Sequence, residues 1–230
     1  MRLLAALSFG IVSLAADRDP FDLYLCDINI LQDKGIQAEL KVGEAQRAKL
    51  NEHATWFDEE AKRIESNAAA DSRVELLLTA RAVFKARVLD SLSDPQVKRL
   101  AQLSLRAMDI VAVLDLEIGK KLGITEVQQK KLFDEWKKTG EAVAAALARV
   151  RKPIVEKYRA KTADSDGERK ALQAEMAKEI AETDKTIQDE IQGHKKAFEA
   201  TVAKTLSDGQ KKEWERLKGP PMSKSPSDGT

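Results

Sequence analysis

Leu132, Trp136, Val143, Leu147, Val150, Ile154 and Tyr158 are spaced three, four or seven apart, which puts them on one stripe of a helix. A second run does the same: Leu172, Met176, Ile180, Thr183, Ile187, Ile191, His194, Phe198 and Val202. Between the runs lies TADSDGE (162–168), a short polar stretch whose Gly167 marks a turn. Two amphipathic helices joined this way predict an antiparallel hairpin. Each arm would be roughly 50 Å long at about 1.5 Å per residue. Pro153 lies within the first arm and predicts a kink there, because it removes an internal N–H. The earlier part of the chain carries a shorter version: Leu50, Phe57 and Ile64 on one helix, Val74, Leu77, Phe84 and Val88 on another. SNAAADS (66–72) would be the bend between them. The predicted fold class is all-α, with long antiparallel helical hairpins in two related halves.

A short motif punctuates these runs. Leu92-Ser93-x-x-Gln96, Ile124-Thr125-x-x-Gln128 and Leu206-Ser207-x-x-Gln210 share an aliphatic residue, a hydroxyl and a glutamine three positions on. A fourth copy, Val42-Gly43-x-x-Gln46, lacks the hydroxyl. Such a string predicts a helix start. The hydroxyl accepts from a free N–H of the first turn, and the glutamine reaches back to the cap residue's own N–H. Asp94, Glu126 and Asp208 complement the positive end of the helix dipole, and Pro95 falls where a missing N–H matters least. At Gly43 only the glutamine half can form.

The halves also align. Residues 30–50 superpose without gaps on 112–132, pairing Ile36 with Ile118, Leu40 with Leu122, Val42 with Ile124, Gln46 with Gln128 and Leu50 with Leu132. Likewise LSDPQ pairs with LSDGQ. Order and register both repeat, which predicts an internal duplication with halves at 17–106 and 107–218.

Composition narrows the setting. Charged residues make up 33% of the 230, and aromatics only 5%, so the cores must be aliphatic and narrow, as helix seams are. Residues 1–16 (MRLLAALSFGIVSLAA) place one Arg before an apolar run too short to cross a bilayer, with Ser13 and Ala15 spaced as at a cleavage site. They predict a signal peptide and hence secretion. Residues 219–230 are polar and rich in Pro, Gly and Ser, and predict a disordered tail. Of the 39 basic and 38 acidic residues, only Arg2 would leave with the signal. The remaining chain is neutral, which argues against nucleic acid as a partner and leaves peripheral membrane contact open. Cys26 stands alone, so the chain can form no internal disulfide. A buried apolar role is expected for it, with an intermolecular disulfide as the alternative.

The hydroxyl–glutamine boxes in a secreted all-helical chain resemble the LTxxQ-motif (Spy/CpxP-like) family of periplasmic helical proteins. The resemblance rests on residues 92–96, 124–128 and 206–210. It implies helical hairpins that pair into a curved dimer with two boxes per chain. Four boxes here imply a pseudo-dimer within one chain, or self-association. The function implied is ATP-independent, chaperone-like binding of unfolded or envelope polypeptides. Alternatives are a regulatory partner of an envelope-stress sensor, or a structural oligomerisation protein.

No phosphate loop, paired-cysteine spacing or His-Glu-x-x-His helix occurs, so no catalytic residue, cofactor or metal is expected and the chain does not read as an enzyme. His194 on its apolar seam and His53 beside Leu50 and Phe57 read as packed histidines. The acids beside Lys and Arg read as solvated faces. Trp56, Trp136 and Trp214 read as core.

Overall fold

The computed structural model describes residues 18–162 and 165–223, and the predicted signal peptide lies outside them. The described residues are helical throughout, with no strand. Two compact units divide the chain: residues up to Asp109 together with those from Glu215 on, and Ile110–Trp214. The second division, after Trp214, falls inside the last helix.

The first unit begins with α1 (Pro20–Leu25), started by Asp19, whose carboxylate accepts from the N–H of Phe21. A 3-10 turn (Ile28–Gln32) leads into α2 (Lys34–Glu39), capped by Asp33 through the N–H groups of Gly35 and Ile36. Next come α3 (Glu44–Asn67) and α4 (Arg73–Asp90), joined by the bend expected over SNAAADS. They run antiparallel. Phe57 stacks on Phe84 with centroids 5.0 Å apart, the Arg87 guanidinium lies over Trp56, and His53 meets Ser91 at 3.0 Å. The first unit then continues with α5 (Asp94–Met108), whose Val97, Leu100, Ala101, Ser104 and Leu105 are buried. Ser104 is satisfied there by the N–H of Asp27. Cys26 is buried too, and burial pushes its thiol up to about 12.

The second unit opens within a 3-10 turn (Asp109–Leu114) that leads into α6 (Leu116–Lys121), capped by Asp115 through Glu117 and Ile118. Then follow α7 (Glu126–Arg159), α8 (Asp166–Thr186) and α9 (Gln188–Thr205), with α7 packed along both of the others. The last helix, α10 (Asp208–Lys218), starts here and buries Trp214.

Three expectations are corrected. The second arm is two helices, because Ile187 leaves helical geometry at φ −108°, ψ 7° and is buried at the break. Gly167 does not form the turn: Ser165 caps α8, accepting from Glu168 N at 3.2 Å, so Asp166 and Gly167 are its first helical residues. Val74 is off the seam and two-thirds exposed. Pro153 is accommodated inside α7, which runs unbroken to Arg159.

Candidate functional site

The four motif glutamines end up as two facing pairs, one in each unit. In the first unit Gln46 Oε1 accepts from Gly43 N at 3.2 Å, and Gln96 Oε1 accepts from Ser93 N at 2.8 Å. Each therefore caps its own helix as the sequence predicts. The two amides then bond each other, Gln46 Nε2 to Gln96 Oε1 at 2.8 Å and Gln96 Nε2 to Gln46 Oε1 at 3.1 Å. Their remaining N–H groups go to the carbonyls of Ser91 at 3.0 Å and Leu40 at 2.9 Å.

The second unit repeats the arrangement. Gln128 accepts from Thr125 N at 3.0 Å and Gln210 from Ser207 N at 2.8 Å. Their amides exchange two bonds of 3.0 Å. The remaining N–H groups reach Thr205 O at 2.7 Å and Gly123 O at 2.8 Å. Here the hydroxyl halves form as well, with Thr125 Oγ1 accepting from Gln128 N and Ser207 Oγ from Gln210 N. At Ser93, as at Gly43, the bond that closes the box is the glutamine one.

Local structure ahead of each first box also matches at a shift of 82. Asp33 and Asp115 cap the preceding short helix in the same way, each through two N–H groups. Lys41 (φ 53°) and Gly123 (φ 65°) both take the left-handed conformation that ends that helix. Val42 N then reaches Gln37 O, and Ile124 N reaches Gly119 O, each at 2.9 Å. The aliphatic residues that open the boxes, Val42, Leu92 and Leu206, are buried, and Ile124 is half-buried. Between the first and second boxes the shift grows from 82 to 114, so the second hairpin is 32 residues longer. With that shift α9 falls on α4, both 18 residues long, and the break at Ile187 falls where the first hairpin turns into Arg73.

Away from the boxes each hairpin is a layer of paired helices, and in the first the 3-10 turn at Ile28–Gln32 also lies against α4. Ile64, Ala80 and Val88 close part of the first seam; Ala146, Ile154, Ile187 and Phe198 close part of the second. The rest is half-exposed: Leu50, Phe57, Leu77 and Phe84 in one, Val143, Leu147, Leu172, Met176 and Ile180 in the other. No residue of α8 is buried. Trp136, expected as core, is partly exposed and lies tilted against Phe198 with centroids 5.1 Å apart. Phe133 beside it is 45% exposed.

Cross-helix ion pairs flank the second seam: Arg149–Glu190, Arg151–Asp184, Lys157–Glu179 and Lys161–Glu175. The hydrogen bond from Lys157 holds the Glu179 carboxyl below its ordinary value, and that from Arg151 does the same for Asp184. Exposed pairs of this kind are screened by solvent and add little to stability; they mainly fix register. His194 is half-buried on this seam, and the His53 ring is held by Ser91.

Such an arrangement can position helices and present shallow apolar surface. Among the described residues no group of three or more His, Cys, Asp or Glu side chains is placed to hold a metal ion, and no helix is long and apolar enough to cross a membrane. Sequence reasoning missed the mutual glutamine bonds, since spacing along a chain does not say which box faces which. It also missed the Ser165–Glu168 box, which was legible as S-x-x-E. Comparison of the chain with family models, curated proteins and solved structures finds no match.

Proposed function

We propose that the chain is a secreted, periplasmic polypeptide-binding protein that holds unfolded or envelope proteins without ATP. In this reading its two units are copies of one helical design, each locked at its base by a glutamine pair and open along its hairpin. The duplication is supported by caps, left-handed residues and glutamine bonds that recur in matched order. The LTxxQ-like boxes give the link to periplasmic chaperone-like proteins.

The observation that carries the functional reading is the half-exposed seam. Among the described residues the seams are only partly covered, and aliphatic and aromatic side chains such as Phe57, Phe84, Leu147 and Met176 keep part of their surface in water. Surface of this kind gives weak contacts, and flexible Met and Leu side chains re-pack around different partners. The test is light scattering of a thermally destabilised client with the full chain added at equimolar ratio. Slower aggregation of several unrelated clients is the expected result. Saturable binding to one folded partner alone would favour a regulatory role, and concentration-dependent assembly with no client effect a structural one.

A further inference from the structure

Residues 219–223, expected to be part of a disordered tail, are instead held along the first unit. Arg106 donates from Nε to the carbonyl of Lys218 at 3.0 Å and from Nη2 to that of Gly219. Arg99 donates to the carbonyls of Pro220 at 2.8 Å and Pro221 at 3.1 Å. Glu39 Oε2 accepts from the N–H of Ser223 at 2.9 Å. Five main-chain groups across six successive residues are therefore met by three side chains, while the segment's own side chains stay exposed, Met222 among them at 45%.

We propose that Glu39, Arg99 and Arg106 form a binding site for an extended, proline-containing peptide segment, and that the chain's own residues 219–223 occupy it in cis. Consecutive prolines suit such a site. They offer carbonyls without N–H groups that would need partners, and their φ is already set for an extended path.

The clamp is built without help from the segment. Arg99 is forked onto Glu39, with Nε 2.9 Å from Oε1, and its Nη1 also donates to Gln102 at 3.1 Å. The Arg99–Glu39 fork and the Arg99–Gln102 bond involve no atom of the segment, so they remain to orient the pair when the segment leaves. Nor is the clamp part of the repeated scaffold. The shifts of 82 and 114 bring Lys121 to the place of Glu39 and Glu213 to the place of Arg99. A carboxylate there has no proton to donate to peptide carbonyls, so the second copy lacks this recognition.

Residues 220–223 bury no large apolar side chain, so their release is a local opening that leaves the unit folded. Gly219 is the pivot. It sits at φ 63°, which a branched residue adopts only under strain, and a Cβ there would stand 2.3 Å from the end of the Gln102 side chain.

The test titrates a fluorescent peptide of sequence KGPPMSK into the full-length chain and reads anisotropy. In the unaltered protein the tethered segment competes at an effective concentration of order mM, so the free peptide binds poorly. Gly219→Val in the full chain should weaken the cis contact and tighten peptide binding at least ~10-fold, since the competitor's occupancy falls. Adding Arg99→Gln to that variant should remove the gain. Peptide binding no tighter in Gly219→Val, or unchanged by Arg99→Gln, overturns the proposal. Trypsin gives a second reading that does not need the Gly219 variant. Cleavage after Lys218 should accelerate roughly tenfold in Arg99→Gln if Arg99 holds the segment, in proportion to the opened population. An unchanged rate contradicts it. The outcome is independent of client holding by the hairpins, so either can fail alone.

Discussion

Replacing Gln210 by alanine removes an amide that serves two helices at once. Its oxygen accepts from Ser207 N and Gln128 Nε2, and its nitrogen donates to Gly123 O and Gln128 Oε1. At about 0.5–1.5 kcal/mol net per hydrogen bond, four bonds would give roughly 2–6 kcal/mol. Ser207 and Gly123 are exposed, so water can serve their freed groups and the lower part of that range applies. We expect a loss of about 2–4 kcal/mol, larger than the typical cost of about 1 kcal/mol for a helix cap alone. Gln128→Ala should cost about as much. The two bonds they share would be lost once, not twice, so the double variant should fall short of additivity by about 1–2 kcal/mol. Urea unfolding followed by far-UV circular dichroism measures all three variants, and the Gln46/Gln96 pair gives the parallel cycle in the first unit. Additivity within about 0.3 kcal/mol in either unit would mean that the glutamines are separate caps with no mutual lock.

Three other outcomes follow from particular residues. Gly123→Ala should destabilise by about 1–2 kcal/mol, while Lys41→Gly at the matched left-handed position should stabilise by up to about 1 kcal/mol; thermal unfolding checks both signs. The Cys26 thiol, pushed up to about 12 by burial, should react with a thiol reagent at pH 8 far more slowly in the native chain than in urea, and equal rates would place it at the surface. Glu39 is held below its ordinary value first by the Ser223 N–H and then by Arg99. Its contribution is therefore present above the unfolded-state carboxyl pKa and lost as pH falls through the lower folded value. Trypsin cannot report there, so exchange of the Ser223 amide is the measure: it should show less protection at the acidic end than the intrinsic rate predicts, and Glu39→Gln should flatten that trend.

Much of the architecture was legible because it is written in local rules. Helix starts carry a hydroxyl and glutamine at fixed spacing, and seam residues recur every three or four positions, so both hairpins, the bend at 66–72 and the matched order of boxes could be read directly. Other features depend on contacts between distant residues. Ile187 continues the apolar stripe of the second arm in perfect register, yet the helix breaks there. Neither propensity nor spacing marks the position; only aligning the two hairpins from their second boxes places the break opposite the turn of the shorter hairpin. Residues 219–223 have the composition of a loose tail, and what holds them is two arginines and a glutamate more than a hundred positions away. Val74 fits the stripe by spacing but lies at the first turn of α4, where the seam has not yet closed.

Whether the hairpin seams hold unfolded polypeptide is decided by site-specific photocrosslinking. A photoreactive residue is placed at Leu77 or Met176 on the seams, or at Lys62 or Lys170 on exposed positions of the same hairpins, and the full chain is mixed with a chemically unfolded client. Client adducts should be several-fold stronger from the seam positions than from the exposed ones, and should be lost when excess folded client replaces the unfolded form. Equal adducts from all four positions, or none from the seams, would contradict holding at the seams.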